Sequence, residues 1–291
     1  MATRIWDGAT TSVFATAGNW SDDTAPVAGD TAIMPDGNTV AAAGAALYDQ
    51  ALAVFTVSPG YSGTIGSRTA GVISDLMLKP VIANLAGSGV AYLNLASCTT
   101  CNVTGAAAGT PTTGTYGLAL SGATFTTLNI DLGASQSVGV AALAGQTCTA
   151  TTINIDGRGT VVLGAGLTCT TLNIRGSGTV YVKPSIATIN VIDGSPSVYI
   201  QEASAVTALT VQAGTTYEHS TGTKTTVVIF EPANIVCGPG SRTWTNTTIY
   251  GEGGLDDDVK SVTWTNPYKD YGKGTNIKLG SNKAVQRTAI A

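Results

Sequence analysis

Side chains able to do covalent or proton-transfer chemistry are few in this sequence and widely spaced. The one histidine, His219, sits in Tyr217-Glu218-His219-Ser220. Catalysis by a Ser/His/Asp or Cys/His set needs that imidazole beside a nucleophile and an orienting acid, and no Gly-x-Ser-x-Gly elbow surrounds any serine. His219 is therefore expected as a partly exposed residue at a strand end. Cys98-Thr99-Thr100-Cys101 has the spacing of a zinc half-site. No second such pair or histidine pair accompanies it, so no metal is expected. Asp256-Asp257-Asp258, with Glu252 nearby, offers carboxylate oxygens to calcium but lacks the alternating spacing of an EF-hand loop, and reads as a solvated acidic loop.

One acidic position does recur. Asp131 and Asp156 directly follow two copies of a Leu/Ile-Asn-Ile phrase, Asp193 follows another one residue later, and Arg175 holds the matching place in a fourth. Two carboxyl groups at a set separation serve glycoside hydrolysis, and a base beside cations serves a lyase. The competing explanation is turn chemistry, since Asp at a strand end tolerates unusual backbone angles, and it is preferred here. No catalytic residue and no cofactor is predicted.

The phrase that carries those acids sets the fold. Thr127-Leu128-Asn129-Ile130, Thr152-Ile153-Asn154-Ile155, Thr171-Leu172-Asn173-Ile174, Thr188-Ile189-Asn190-Val191 and the degraded Ala208-Leu209-Thr210-Val211 recur at steps of 25, 19, 17 and 20 residues. A second phrase interleaves: Val161-Val162-Leu163, Val180-Tyr181-Val182 and Val198-Tyr199-Ile200, at steps of 19 and 18. Two short strands per unit, joined by Gly-rich turns, let a chain coil so that each strand pairs with its own copy one turn later. Strand side chains alternate, so Leu128, Ile130, Ile153, Ile155, Leu172, Ile174, Ile189 and Val191 are expected inside. Asn129, Asn154, Asn173 and Asn190 should form an outward, hydrogen-bonded stacking ladder, and Val162, Tyr181 and Tyr199 a second outward column that serves as a candidate interface.

The expected fold is all-β, a single-stranded right-handed parallel β-helix (β-solenoid), with a β-sandwich of evenly spaced strands as the alternative. The pattern extends upstream through Leu52–Val57, Tyr92–Leu95 and Leu118–Leu120. Downstream it continues through Val227–Ile229 and the pair Thr243-Trp244-Thr245-Asn246 and Thr263-Trp264-Thr265-Asn266. Residues 1–45, with Trp6, Phe14 and Trp20, read as an N-terminal cap, 46–268 as solenoid and 269–291 as a basic C-terminal arm. A helix over Gly71–Ala86 is the one exception weighed, and Pro80 interrupts it. In the arm Lys273, Lys278, Lys283 and Arg287 follow the last acid, Asp270, and are candidates to contact an acidic neighbour.

Composition bounds the function. Charged residues make up 11% of the 291, well below the roughly 25% of ordinary domains, so Thr, Ser, Asn and Gly must cover the surface. A net charge of −4 argues against nucleic-acid binding, which needs a basic face. No stretch is long and apolar enough to suggest a membrane span, and Met1-Ala2-Thr3-Arg4 leads to Trp6-Asp7-Gly8 without a hydrophobic signal core. Five cysteines leave one unpaired in any pairing, which suits synthesis in a reducing cytoplasm.

Trp6-Asp7-Gly8, Asn19-Trp20-Ser21 and Pro26 to Thr31, followed by Phe55 to Gly66, resemble the start of many β-rich proteins of tailed bacteriophages and bacterial surfaces. The resemblance implies a virion structural protein of the capsid decoration (cement) or tail-fibre type, commonly a homotrimer, partnered by the major capsid protein or another virion protein. It implies no active site. Two other functions stay open: a tail-fibre or tailspike subunit binding host glycan through Tyr199, Tyr217 and Tyr250, and a polysaccharide lyase or glycoside hydrolase on a β-helix.

Overall fold

A computed structural model describes residues 1–42, 50–69, 72–111, 114–201, 205–259, 261–271, 277–279 and 288–289. The chain divides into two compact units, residues 1–152 with 158–167, and residues 153–157 with 168–291. Both are built from short strands paired in parallel with their counterparts one turn away, so each is a β-solenoid and neither is a sandwich.

In the first unit one sheet runs β1 (Thr3–Ile5), β2 (Thr31–Met34), β3 (Val54–Val57), β7 (Ile82–Leu85), β9 (Cys98–Val103) and β11 (Ala123–Leu132). The other runs β6 (Leu76–Leu78), β8 (Ala91–Leu95), β10 (Leu118–Ser121), β12 (Ser137–Val140) and β14 (Thr160–Leu163). A short antiparallel pair, β4 (Ser67–Thr69) and β5 (Val72–Ser74), stands apart from both. Strand β13 (Cys148–Gly157) passes from the first unit to the second at Ile153.

The second unit has the same two-strand rung. One sheet runs β15 (Leu167–Ile174), β17 (Ile186–Val191), β19 (Val206–Val211), β21 (Gly222–Ile229), β23 (Arg242–Ile249), β26 (Lys269–Asp270) and β28 (Thr288–Ala289), with β25 (Val262–Trp264) also on β23. The other runs β16 (Thr179–Val182), β18 (Ser197–Ile200), β20 (Thr215–Glu218), β22 (Asn234–Cys237), β24 (Gly254–Asp257) and β27 (Ile277–Leu279). Pairing is in register: Leu172 faces Ile189 and Asn173 faces Asn190, while Thr243 faces Thr263 and Trp244 faces Trp264.

Every aliphatic residue expected inside is buried, from Leu128 at 0% exposure to Ile155 at 4%. Each such side chain contributes about 1.5–3 kcal/mol by leaving water, and a slip of one residue would expose the whole set. Turn glycines make the tight return possible. Gly176 and Gly194 have φ of +78° and +82°, and a Cβ on Gly194 would come within 1.8 Å of the Gly176 carbonyl oxygen.

Several boundaries differ from the sequence reading. Tyr92–Leu95 and Leu118–Leu120 belong to the second sheet, not to the column of Asn phrases. Over Gly71–Ala86 the described residues form β5, β6 and β7, because the β-branched and apolar run fits paired strands better than a Pro-broken helix. Residues 1–42 hold an aromatic cluster beside the strands β1 and β2. Trp6, Phe14 and Trp20 pack at ring-centroid distances of 4.8–6.0 Å, with Phe55 of β3 at 6.2 Å from Phe14. Buried Asn19 ties their loop, donating to the Val13 carbonyl and accepting from Thr10 and Thr11 amides. Asp30 accepts from the Ala2 amide, which with the Val27 amide and Arg4 holds its carboxyl below the usual range. The Trp-Asp-Gly, Asn-Trp-Ser and Gly-Asp-Thr motifs thus supply Trp6, Asn19, Trp20 and Asp30, the buried residues that hold this segment together. At the other end, Lys269–Asp270, Ile277–Leu279 and Thr288–Ala289 add strands to the sheets instead of leaving them as an arm.

Candidate functional site

Over several consecutive rungs the same outward side chain recurs at the rung spacing, which lets the copies interact along the axis. In the first unit the Asn129 amide donates to Asn102 and the Asn102 amide to Asn84, each at 2.9 Å. In the second, Asn190 donates to Asn173 and Asn173 to Asn154, again at 2.9 Å. The predicted ladder is therefore present, and Asn84 and Asn102 extend it beyond the residues the phrase identified. Their signal was available in Ala83-Asn84-Leu85 and Cys101-Asn102-Val103, where an Asn stands between two inward apolar residues.

Tyr181, Tyr199 and Tyr217 occupy one column of the second sheet in the second unit. Their rings stack at 5.0 and 4.5 Å with interplanar angles of 18° and 6°. Thr179, Ser197 and Thr215 run beside them, and all six are half-buried. Burial, followed by the neighbouring phenols of Tyr217 and Tyr181, pushes the Tyr199 hydroxyl's pKa up. A second stack, Phe230–Tyr250–Tyr271, stands just after β21, β23 and β26, at 4.8 and 5.1 Å, with Tyr250 and Tyr271 exposed.

Val162 departs from its expected role. It lies in β14 opposite Gly139 but is only 3% exposed, so it offers no surface. The segment preceding β10 covers this part of the first unit: the Tyr116 ring lies so close over Gly139 that a Cβ there would approach it to 2.9 Å. Of the basic candidates, Lys273, Lys283 and Arg287 lie outside the described residues. Lys278 is exposed in β27, and its ammonium stands 3.9 Å from Asp256 of its own chain.

The reactive residues singled out in the sequence are held in structural settings. Asp156 and Asp193 are exposed, and each accepts from the amide of the glycine that follows it, Gly157 or Gly194, at 2.7 and 2.6 Å. This is the turn chemistry preferred above. The His219 ring packs against Gly238. All five cysteines are free and buried, and burial drives Cys148 and Cys169 up to about 11 and Cys237 to about 12. Among the described residues no group of His, Cys, Asp and Glu is arranged to hold a metal. Asp257 is no part of a solvated loop: it is 1% exposed and accepts from the amide and hydroxyl of Ser261 and the amide of Val262.

Asp257 belongs to a feature that the sequence reading missed. Along the inward column of the second sheet, Ile200 is followed by Glu218 and then Cys237. Glu218, Ser220, Lys224 and Arg242 are at most 1% exposed. The Lys224 ammonium stands 3.2 Å from Glu218 Oε1 and donates to Ser220 Oγ at 2.6 Å, while the Ser220 hydroxyl and amide both donate to that same Oε1. Arg242 donates to the carbonyls of Ser220, Gly238 and Pro239. Two atoms of opposite polarity, Glu218 Oε2 and Arg242 Nη1, have no hydrogen-bond partner among the described residues. Burial lowers the Lys224 pKa, against the opposing pull of Glu218. The signal was a carboxylate at the inward fourth position of Thr-Thr-Tyr-Glu, where Ser-Val-Tyr-Ile has an aliphatic residue.

Stacked parallel rungs with ladders of Asn and Tyr define this as a β-solenoid protein. No family model, curated protein or solved structure matches the chain. Among the described residues no helix is long and apolar enough to cross a membrane.

Proposed function

We propose that this chain is a non-enzymatic structural subunit of a tailed-phage virion, a capsid decoration (cement) protein made in the host cytoplasm that binds the shell as a homotrimer. One observation supports it most: the Tyr181–Tyr199–Tyr217 column with its Thr179, Ser197 and Thr215 flank is half-buried and holds no charged side chain. Aromatic enrichment and charge depletion are the composition of interface cores. Ring stacking covers both faces of Tyr199, leaving edges and hydroxyls, which suits packing against another protein surface better than stacking on a sugar. The assignment to a phage rests on the Trp-Asp-Gly and Asn-Trp-Ser resemblance.

A second function, a tail-fibre subunit binding host glycan, draws support from Tyr271, an exposed ring that stacks on Tyr250 at the end of its column. Sedimentation of the purified protein and cryo-electron microscopy of the particles separate the two. The decoration assignment expects a trimer that Tyr199→Arg converts to monomer, and density on the shell. A wild-type monomer, or density confined to the tail, would refute it.

A further inference from the structure

Most inward positions of the second unit are apolar, and three buried ionic side chains, Glu218, Lys224 and Arg242, all bond to Ser220. Packing alone does not call for them, because hydrophobic residues of similar volume commonly replace a buried ion pair without loss. Their arrangement is that of a reaction site: an amine nucleophile, a carboxyl electrophile, and donors already aimed at one carboxyl oxygen. We propose that Lys224 and Glu218 join through an intramolecular amide (isopeptide) bond that expels one water. The inference concerns the interior alone and is independent of where the protein works.

The groups divide the work. The reacting form is the neutral pair, reached by passing one proton from the Lys224 ammonium to the Glu218 carboxylate. Glu218 Oε2, which no donor holds, takes that proton. Lys224 Nζ then attacks Glu218 Cδ, forming the N–C bond. Charge developing on Oε1 is met by the Ser220 amide at 2.8 Å and by the Ser220 hydroxyl, an arrangement equivalent to an oxyanion hole. A second proton passes from the nitrogen to Oε2, directly or through the Ser220 hydroxyl that Nζ already contacts at 2.6 Å. Oε2 leaves as water and Oε1 returns to a carbonyl. One carboxylic acid and one amine become one amide and one water, with no oxidant or cofactor, and two buried charges disappear.

Intact-mass spectrometry of the denatured full chain tests this. The expected mass is lower than the sequence mass by one water, about 18 Da, and digestion should yield a branched peptide joining residue 218 to residue 224. Lys224→Arg keeps the charge but cannot form the bond, and should restore the full mass. A wild-type chain of full mass, with a Lys224 amine open to acylation after denaturation, would overturn the proposal. So would a deficit that persists in Lys224→Arg, because it would place the lost water elsewhere, as in cyclisation at Asp156-Gly157.

Discussion

Asn173 stands in the middle of the amide ladder, donating to Asn154 and accepting from Asn190. Asn173→Ala removes both bonds. At about 0.5–1.5 kcal/mol net per neutral hydrogen bond, the expected loss is about 2 kcal/mol. Asn190→Ala removes only the bond it donates to Asn173, and should cost about 1 kcal/mol. The two variants share one bond, so the double variant loses two bonds and not three, and should fall short of additivity by about 1 kcal/mol. Exposed Thr170 in the same strand is the control, and its alanine variant should stay within about 0.5 kcal/mol of the parent. Urea unfolding followed by circular dichroism reads all four. Strict additivity of the Asn pair, or an Asn173→Ala effect no larger than the Thr170 control, would refute the claim that the column stabilises the rungs.

Tyr199 stacks on two rings and Tyr181 on one, so at about 0.5–1.5 kcal/mol per pair Tyr199→Ala should cost about 2 kcal/mol and Tyr181→Ala half that, read by the same unfolding curves. The hydroxyls of Tyr61, Tyr116 and Tyr199 are all held above the ordinary tyrosine value, the first two by burial. Their contribution to stability is complete below that value and is lost as pH rises through the raised ones, so alkaline melting should precede full phenolate absorbance. Asp30 has the opposite sign: its lowered carboxyl contributes above the ordinary aspartate value and loses that contribution as pH falls through the lowered one, an effect that Asp30→Asn should flatten in acid melts. The five free, buried thiols predict slow labelling by a disulfide reagent in the native protein and five equivalents in denaturant.

The fold was legible where the repeat was strict. Between Leu128 and Val191 the alternation of inward Leu/Ile/Val with outward Asn fixes the face of each strand, and burial follows it, with Leu172 paired to Ile189 and Asn173 to Asn190. Earlier in the chain it was harder to read, because inward places are filled by Ala83 and Cys101, whose small side chains do not announce a core. The burial of Val162 was beyond reach from strand pattern alone, which does not show that the Tyr116 ring lies close over its paired neighbour Gly139. Glu218, Lys224 and Arg242 were missed for a different reason. Charged residues in short strands read as solvent-facing, and only the column beginning at Ile200 shows that Glu218 points inward. The C-terminal strands escaped because Lys269–Asp270 and Ile277–Leu279 are too short to carry a period.

The central claim is that successive copies of the Asn phrase lie directly above one another, and nitroxide labels test it most directly. Thr171 and Thr188 are half-buried, paired residues of adjacent rungs. Labels attached at Thr171→Cys and Thr188→Cys, about 4.8 Å apart at the backbone, should show strong dipolar broadening in the electron paramagnetic resonance spectrum. A doubly labelled protein whose spectrum equals the sum of the two singly labelled ones would contradict the account.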